Sequence, residues 1–225
     1  MRPRAGERES AVEFFPALAA LGFLRHGFVR RIAGIDVATD RAEALRRLDQ
    51  VHRAIRAELG LTGKVFATAE QVHGREVAVI DESLGAKYPS PGADGLITNQ
   101  PGVSLGIYVA DCCAVYLVDP VRKVIGLVHS GKKGTEKAIV TNAIEQMEKR
   151  FGSLASDLIV QLSPCIRPPH YEVDFAAEIV RQARAAGVRE VHDAGSCTAS
   201  DLQSYYSYRA EKARTGRMLA LLALA

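Results

Sequence analysis

The feature that most constrains this chain is a series of short, β-branched apolar runs that begins near residue 64. Runs of this length and composition, separated by turn residues, are typical of β-strands. We therefore predict strands at Lys64 to Thr68, Val77 to Ile80, Leu96 to Thr98, Ser104 to Val109, Ala114 to Val118, Val124 to Val128 and Leu158 to Leu162. So many strands in one chain require a substantial sheet system.

The turn between two of these runs indicates how part of the sheet is connected. Asp119-Pro120 stands between Ala114 to Val118 and Val124 to Val128. An Asp-Pro step favours a turn, because proline fixes its own φ and the aspartate side chain accepts from the backbone that follows. The two runs are thus predicted to form an antiparallel hairpin, which argues against a purely parallel, doubly wound sheet.

Three segments show helical periodicity. From Asp40 to Leu59 apolar residues recur at three- and four-residue spacings, Asp40 and Glu43 are placed as a capping pair, and Gly60 ends the pattern. Two further helices are predicted from about Thr135 to Arg150 and from about Phe175 to Ala186. Because no repeat or low-complexity linker interrupts the chain, we expect one domain over residues 1–225. Its class is α/β (α+β), with mixed β-sheets and flanking helices.

Composition excludes several classes of function. The formal charge is +3, and hydrophobic and charged residues make up 48% and 24% of the chain, as in an ordinary globular protein rather than a nucleic-acid-binding one. The apolar end from Met218 to Ala225 is shorter than the ~20 residues of a membrane span, and the arginine-rich start lacks the apolar stretch of a signal peptide. Four cysteines, two of them adjacent, make a poor disulfide framework. We expect a cytoplasmic protein with reduced thiols and neither a nucleic-acid nor a membrane partner.

Three residues of metal-binding type lie at predicted strand ends or in glycine-marked turns. His73 is followed by a glycine, Cys112 comes soon after a predicted strand, and His129 begins a Ser-Gly turn. Two imidazoles and one thiolate suit Zn²⁺, and three protein ligands leave a fourth position open, as in catalytic zinc sites. Spacing alone does not separate this site from packed or solvated side chains. It also leaves open a metal-free hydrolase in which Cys112 is the nucleophile and a histidine is the base.

The segment from Gly126 to Lys133 nearly matches a phosphate-binding P-loop, in which a glycine-rich turn follows a strand and opens a helix. Lys133 stands where a Ser or Thr should hold Mg²⁺, so hydrolysis of nucleoside triphosphates is not expected. The glycines, the helix N-terminus, Lys132 and Lys133 could still hold a phosphate. A basic loop that faces solvent is the alternative.

A further pattern consists of short segments spread over nearly the whole chain. The segments are His26-Gly27-Phe28 leading to Arg31, Gln71-Val72-His73-Gly74, Ala93-Asp94-Gly95-Leu96-Ile97-Thr98, Ala110-Asp111-Cys112, His129-Ser130-Gly131 through Gly134, and Tyr206-Ser207-Tyr208-Arg209 with Thr215-Gly216-Arg217. Each is weak alone, but in this order they resemble the laccase-domain family. That family is also called multicopper polyphenol oxidoreductases, and its members are better described as purine nucleoside-processing enzymes.

The resemblance implies a domain of the laccase type with one zinc ion, bound by the histidine of Gln-Val-His-Gly, the cysteine of Ala-Asp-Cys and the histidine of the glycine loop. In this chain those positions are His73, Cys112 and His129. It also implies phosphorolysis of purine nucleosides such as adenosine and inosine, adenosine deamination, and cleavage of methylthioadenosine, with nucleoside and inorganic phosphate in one pocket. Our candidates for holding substrate or phosphate are Arg31, Gln71, Asp111, Lys132, Lys133 and Arg209.

The chain also departs from the family pattern. Where relatives usually show His-Ala-Gly-Trp-Arg-Gly, it has His129-Ser130-Gly131-Lys132-Lys133-Gly134, so an aromatic ring and a guanidinium are replaced by two amines. Three alternatives therefore stay open: a copper-dependent polyphenol oxidase, since Cu²⁺ binds such ligands at least as strongly as zinc, a metal-free Cys-His hydrolase, and a metal-binding homologue without catalysis. Six histidines are few for several coppers. We expect a monomer or a small homo-oligomer.

Overall fold

The structure, a computed structural model, describes residues 11–81 and 88–225 and contains both strands and helices, with β3 to β8 following one another without an intervening helix. The strands are β1 (Val12–Glu13), β2 (Leu24–Val29), β3 (Val65–Thr68), β4 (Val77–Val79), β5 (Gly95–Thr98), β6 (Val103–Val109), β7 (Cys113–Asp119), β8 (Val124–Ser130), β9 (Ile159–Leu162), β10 (Glu190–Asp193) and β11 (Met218–Leu224). The helices are α1 (Pro16–Ala19), α2 (Arg41–Glu58), α3 (Lys132–Glu136), α4 (Ile139–Phe151) and α5 (Phe175–Ala185), and a 3₁₀ turn covers Ala155–Asp157.

The strands form two mixed sheets, as predicted. One has five strands in the order β1-β2-β11-β6-β3, and the other has six in the order β10-β9-β7-β8-β5-β4. Each sheet combines antiparallel pairs with parallel ones, such as β3 with β6 and β4 with β5. The predicted hairpin is β7 and β8, which pair antiparallel from Cys113 opposite Ser130 to Asp119 opposite Val124.

Three hydrophobic clusters hold the layers together. The largest joins the two sheets and includes Phe28 of β2 and Tyr116 of β7, both fully buried. A second cluster packs α4 and α5 against the six-stranded sheet, and a third packs α2 against the five-stranded sheet. Both faces of each sheet are therefore covered, and the layers follow the order helix, sheet, sheet, helix. This burial stabilises the fold, because each large apolar side chain removed from water contributes about 1.5–3 kcal/mol.

The apolar run at the end of the chain is the central strand of the five-stranded sheet. β11 pairs with β2 on one side and β6 on the other. Leu219 and Leu221 belong to the cluster under α2, whereas Ala220 and Leu222 belong to the cluster between the sheets. Both faces of β11 are buried, as they are in β7 and β8. Unlike those strands, however, its run of Met, Leu and Ala contains no β-branched residue, so the strand pattern does not predict it. Its neighbour β2 was not predicted either.

Two of the three predicted helices are confirmed. α2 begins where Asp40 caps it, with the aspartate side chain accepting the backbone N–H of Glu43 at 3.1 Å, and α5 ends one residue before its predicted limit. The helix predicted from about Thr135 to Arg150 is wrong at its start. It is divided into α3 and α4 at Ala138, which has a left-handed φ of 56°.

The break between α3 and α4 has a packing cause. The carbonyl of Thr135 accepts the side-chain amide of Gln182 from α5 at 2.9 Å and the backbone N–H of Ala138 at 2.9 Å. These bonds end the first helix after little more than one turn and let the chain change direction before α4. The separate short helix brings the glycine loop after β8 to the rim of the six-stranded sheet.

Among the described residues, none of the helices combines the length and the apolar content of a membrane-crossing segment. The arginine-rich start considered in the sequence analysis lies outside the described residues.

Candidate metal centre and its pocket

Three side chains of metal-binding type converge at the rim of the six-stranded sheet. His73 lies in the loop after β3, Cys112 between β6 and β7, and His129 near the end of β8. One ligand atom from each lies within 4.8 Å of the others, and the two imidazole rings meet edge to face with their centroids 4.9 Å apart. His129 is buried, Cys112 is partly buried and His73 is exposed, so the cluster opens to solvent on one side.

Strand register explains why residues so distant along the chain meet. In the β7–β8 hairpin Ala114 stands opposite His129, which brings Cys112 beside the glycine loop. In the β5–β8 pair Gly95 stands opposite Val128, and the backbone N–H of His129 donates to the carbonyl of Asp94 at 2.7 Å.

Asp94, a residue that the sequence analysis did not assign to the site, is the buried anchor of this cluster. Its side chain is fully buried. One carboxylate oxygen lies 2.9 Å from Nδ1 of His129 and accepts the backbone N–H of His73 at 2.9 Å. The other accepts the backbone N–H groups of Gly74 at 2.6 Å and Val72 at 3.2 Å. Asp94 therefore fixes the His73 turn and leaves Nε2 of His129 directed to the cluster, which is how outer carboxylates orient metal-ligating histidines.

Gly131 is required by the close approach of the Cys112 thiol. A Cβ at this position would lie 2.4 Å from Sγ of Cys112, a distance at which something must move. The φ of Gly131 is −102°, which any residue can adopt. The glycine thus leaves space for the sulfur rather than relieving backbone strain.

The backbone around the cluster is strained. Gln71, His73 and Asp111 all have positive φ, at 66°, 61° and 79°, a region that residues with a Cβ rarely adopt. Such conformations cost about 1–3 kcal/mol each and concentrate at binding sites, where the surrounding structure maintains them. The three residues lie in two turns that carry two of the candidate ligands.

The electrostatics of the cluster favour a thiolate. Burial alone raises the pKa of Cys112, but the charge of His129 and hydrogen bonds from both imidazoles outweigh burial and lower its pKa to about 6. Burial also works against a charge on His129, but the Cys112 thiolate and the hydrogen bond to Asp94 outweigh it and raise the pKa of His129 to about 9. A thiolate is the form of cysteine that binds metals and attacks electrophiles.

A cavity of about 390 Å³ opens beside the cluster, within the range of about 300–1,000 Å³ typical of small-molecule sites. Its walls combine aromatic rings with cationic groups. The lining residues are Arg41, Gln71, His73, Tyr108, Ala110, Asp111, Cys112, His129, Lys132, Ile166, Tyr171, Phe175, Tyr208, Arg209 and Arg217.

Gln71 and Asp111 line the cavity but are occupied by hydrogen bonds to the protein. The side chain of Gln71 donates to the carbonyl of Tyr108 at 2.6 Å and accepts its backbone N–H at 3.1 Å. The carboxylate of Asp111 accepts the hydroxyl of Thr198 at 2.8 Å and the backbone N–H of Arg209 at 2.7 Å. Both residues therefore hold neighbouring segments in place around the cluster.

The four predicted phosphate-binding cations are not brought together. Lys132 and Arg209 line the cavity, whereas Lys133 is exposed and is not part of its lining. Arg31 is also outside the lining: its guanidinium pairs with Glu211 at 2.7 Å and lies 4.4 Å from the ring centre of Tyr206. We therefore keep only Lys132 and Arg209 of this set as groups that face the pocket.

Arg41, Arg217 and the pocket's aromatic rings were not predicted from the sequence as site residues. The Thr-Gly-Arg and Tyr-Ser-Tyr-Arg segments were noted only as marks of resemblance. Arg41 follows the cap of α2, where an exposed arginine on a charged helix face carries no distinctive signal. Its place at the pocket depends on how α2 packs against the sheet.

Comparisons with known proteins identify the family of this chain. A family model described as multi-copper polyphenol oxidoreductase laccase matches residues 23–183 and 173–225. The chain belongs to this family. A relative in Streptomyces griseus, named purine nucleoside phosphorylase ORF3, is 31% identical over 186 residues, which cover 71% of this chain and 74% of that protein. Another in Deinococcus radiodurans, named purine nucleoside phosphorylase, is 30% identical over 235 aligned positions, covering 88% of each chain.

Solved structures share the fold of this laccase-family chain. YlmD from Geobacillus stearothermophilus aligns with a TM-score of 0.80 at 23% identity, over 91% of this chain and 93% of that one. YfiH from Bacillus licheniformis aligns with a TM-score of 0.78 at 20% identity, over 90% and 93%. The two-sheet architecture is therefore that of known laccase-family structures.

The donor set fits a single divalent metal ion. Two imidazole nitrogens and one thiolate are ligands that zinc prefers, and three protein ligands leave one corner of a tetrahedron free. Within residues 11–81 and 88–225 this is the one group of three or more histidine, cysteine or acidic side chains close enough to share an ion. The family's multi-copper description would need further clusters of this kind.

Proposed function

We propose that this chain is a zinc-dependent purine nucleoside phosphorylase that acts on adenosine and inosine, and also on methylthioadenosine. The observation that carries the proposal is the convergence of His73, Cys112 and His129 beside a cavity with aromatic and cationic walls. Relatives that cover most of the chain are named purine nucleoside phosphorylases, which supports the assignment.

The pocket can accommodate both substrates of a phosphorolysis. Tyr171 and Phe175 meet edge to face with ring centres 5.9 Å apart, and together with Tyr208 they offer apolar surfaces on which a purine ring can stack. The cationic groups on the walls can hold a phosphate oxyanion. Phosphorolysis requires that phosphate and nucleoside be held together, because positioning converts a bimolecular reaction into an intramolecular one.

The chemistry needs a nucleophile at the anomeric carbon and stabilisation of the departing purine. The phosphate oxygen forms the new bond to that carbon, and the bond to the purine nitrogen breaks with its electron pair on the base, which then takes a proton. Zinc held by the three ligands would supply Lewis acidity to the reacting atoms. Asp94 keeps His129 oriented, and Asp111 holds the Arg209 segment at the pocket wall.

Adenosine deamination is the second reaction that we propose for the same site. It is favoured by the exposure of His73, which leaves the side of the cluster facing the cavity open to water. A deaminase would release inosine whether or not phosphate is present. Phosphorolysis would release free base only with phosphate, so the two reactions are separable.

The test is to incubate the purified, zinc-loaded protein with adenosine, inosine or methylthioadenosine, with and without inorganic phosphate, and to separate the products by chromatography. We expect free purine and ribose 1-phosphate (or the methylthio analogue) only when phosphate is present, and inosine from adenosine under both conditions. Free base that appears equally without phosphate would identify a nucleosidase and contradict the proposal.

Two controls distinguish the alternative functions. Cys112→Ser should abolish turnover, and prolonged chelation should do the same until zinc is restored. Full activity after chelation would instead identify a metal-free Cys112 nucleophile. Oxygen uptake with a phenol after copper loading, without any nucleoside turnover, would identify a polyphenol oxidase.

A further inference from the structure

One guanidinium on the cavity wall is buried without an ion pair among the described residues. Arg217 is only 9% exposed and lines the pocket. One of its terminal nitrogens donates to the carbonyls of Thr215 at 2.9 Å and Gly216 at 2.8 Å. Among the described residues no carboxylate lies within ion-pair distance of Arg217. Arginine stays protonated in proteins, so this charge is held in the wall of the cavity. Its hydrogen-bond partners are backbone carbonyls, and Asp111 and Cys112 act on it through space without an ion pair.

A second arginine adds another positive charge to the same cavity wall. Arg41, the first residue of α2, lines the same cavity and donates to the carbonyl of Glu70 at 3.3 and 3.4 Å. Its positive charge is close enough to lower the pKa of Arg217, after burial, which has the largest effect. Two positive charges at one cavity wall repel each other, and this repulsion raises the electrostatic free energy of the site. A bound anion between them would relieve it.

Several other arginines in this part of the structure are paired, although Arg56 of α2 lies over the ring of Phe66 instead. On α2, Arg46 and Arg47 share Glu43 at 2.7 Å, and Arg53 pairs with Asp49 at 2.8 Å. At the pocket, Arg209 lies 3.3 Å from Glu172. For Arg41 and Arg217, no ion pair is found within residues 11–81 and 88–225.

The acidic side chain in the cavity lining favours the charge of Arg217 through space, but it makes no ion pair with either arginine. Asp111 is the carboxylate among the lining residues, and its two oxygens already accept from Thr198 and from the backbone of Arg209. The Arg41 and Arg217 wall is therefore a preformed cationic surface, with fork-shaped donors that match an oxyanion better than amines do.

We propose that Arg41 and Arg217 form the subsite for a tetrahedral oxyanion, inorganic phosphate, in this pocket. This assignment replaces our expectation that the lysine loop, Arg31 and Arg209 hold the phosphate. The ring of Tyr208, 5.9 Å from the guanidinium carbon of Arg217, closes one side of the subsite. The role of phosphate as co-substrate rests on the proposed function, but the binding of phosphate can be tested without any turnover.

The experiment is a calorimetric titration of the zinc-loaded, full-length protein with inorganic phosphate. Arg217→Met and Arg41→Met should each weaken phosphate binding on the order of 10–100-fold, the loss expected when charge-assisted hydrogen bonds are removed. Arg217→Lys, which keeps the charge but loses the fork, should fall between Arg217→Met and the unaltered chain. The matched control Arg53→Met removes an arginine from the same helix outside the pocket and should leave the affinity unchanged.

Two outcomes would overturn the assignment. One is an unchanged phosphate affinity in both methionine variants while Lys132→Met loses it. The other is the absence of a saturable phosphate site in the unaltered chain. Should Arg217→Met fold poorly, as judged by its thermal midpoint and zinc content, the exposed position of Arg41 keeps the test available through Arg41→Met.

Two further measurements separate this inference from the proposed function. If phosphate binds through the two arginines but no nucleoside is turned over, the proposed function fails and the subsite stands. If turnover occurs with an unchanged KM for phosphate in both methionine variants, the subsite fails and the function stands. Ribose 5-phosphate carries the same dianion on a sugar, and binding of this probe at least tenfold tighter than phosphate would reassign the subsite to a phosphorylated substrate and overturn its role for the co-substrate.

Discussion

The buried histidines of this protein fall into two groups. His26 and His52 lie in and under the five-stranded sheet, where burial is the main influence and lowers the pKa of each to about 4. His129 is equally buried, but the Cys112 thiolate and the Asp94 carboxylate raise its pKa to about 9. The residue type and the burial are the same, and the difference comes from the anionic partners. A buried histidine is therefore a candidate for chemistry when an acid holds it, and a packing residue when none does.

The largest effect is expected from removing the negative charge of Asp94, one of the two anionic partners that distinguish His129 from His26 and His52. Asp94→Asn keeps the shape of the side chain but loses its charge and places an amide among four N–H donors. We expect a loss of about 3–5 kcal/mol in the free energy of unfolding, typical of breaking a buried charge pair. Zinc affinity should fall about 10–100-fold, the usual effect of removing an outer carboxylate. Chelator competition and urea denaturation measure both quantities.

A matched control for Asp94→Asn is Asp174→Asn at the start of α5. That carboxylate also accepts a backbone N–H, from Ala177 at 3.0 Å, but it lies on the surface. Because asparagine caps a helix about as well as aspartate, this change should alter the free energy of unfolding little and leave zinc affinity unchanged. If Asp94→Asn bound zinc as tightly as this control does, Asp94 would have no orienting role.

The second prediction concerns the position of the thiol. Gly131→Ala places a methyl group 2.4 Å from Sγ of Cys112, so the sulfur or the loop must move. A displacement of this order at a reacting centre costs about 10²-fold in activity, measured as kcat/KM with the best nucleoside. Gly22→Ala is the matched control, because a Cβ at that position meets nothing within 4 Å. Equal activities in the two variants would show that activity does not depend on the present position of the Cys112 sulfur.

The third prediction concerns pH. His26 and His52 have a pKa of about 4 in the fold and about 6.5 in the unfolded chain. Between these values the unfolded chain binds more protons, so stability falls as the pH falls. The contribution is complete above about pH 6.5 and is lost towards about pH 4. We expect the free energy of unfolding from urea titrations to decrease over this window, and less steeply in the double variant His26→Gln and His52→Phe. An unchanged slope would contradict the assignment.

The smallest expected effect is a change in stability at His52, one of the two buried histidines that have a lowered pKa. Both ring nitrogens of His52 are buried without a hydrogen-bond partner among the described residues, and its ring packs 5.8 Å from that of Tyr108. An unsatisfied buried polar group is destabilising, so His52→Phe should raise the free energy of unfolding by about 1 kcal/mol. His192→Phe is the control: its imidazole pairs with Glu190 at 2.9 Å near the surface, and it should give no gain. Destabilisation by His52→Phe would indicate a partner for the imidazole.

The sequence was informative where physical constraints are local. The Asp40 cap, the Asp119-Pro120 turn and the apolar spacing of α2 depend on neighbouring residues, and these predictions are confirmed. β11 escaped prediction because its run of Met, Leu and Ala contains no β-branched residue, whereas the equally buried β7 and β8 contain valines and were recognised. The division of α3 from α4 depends on Gln182, a residue far along the chain, so no local pattern could reveal it.

The candidate site shows the same division. Glycine-marked turns and strand ends pointed to His73, Cys112 and His129, and the structure brings their ligand atoms within 4.8 Å of one another. Asp94 and Arg217 were visible only as members of short motifs. The role of Asp94 arises from strand register, and that of Arg217 from its burial in the cavity wall without an ion pair. Arg31 was selected by charge and motif, but its guanidinium pairs with Glu211. A sequence shows where the charged residues are, but it does not show which of them will form an ion pair with each other in the fold.

The most direct test of the central claim, that the three side chains share one metal ion, is cobalt substitution followed by absorption spectroscopy. We expect one Co²⁺ per chain in a tetrahedral site, with a thiolate-to-cobalt charge-transfer band that disappears in Cys112→Ser, and one zinc per chain in protein purified without added metal. A cobalt spectrum that lacks the thiolate band, or that is the same in Cys112→Ser, would contradict a shared site and the mechanism built on it.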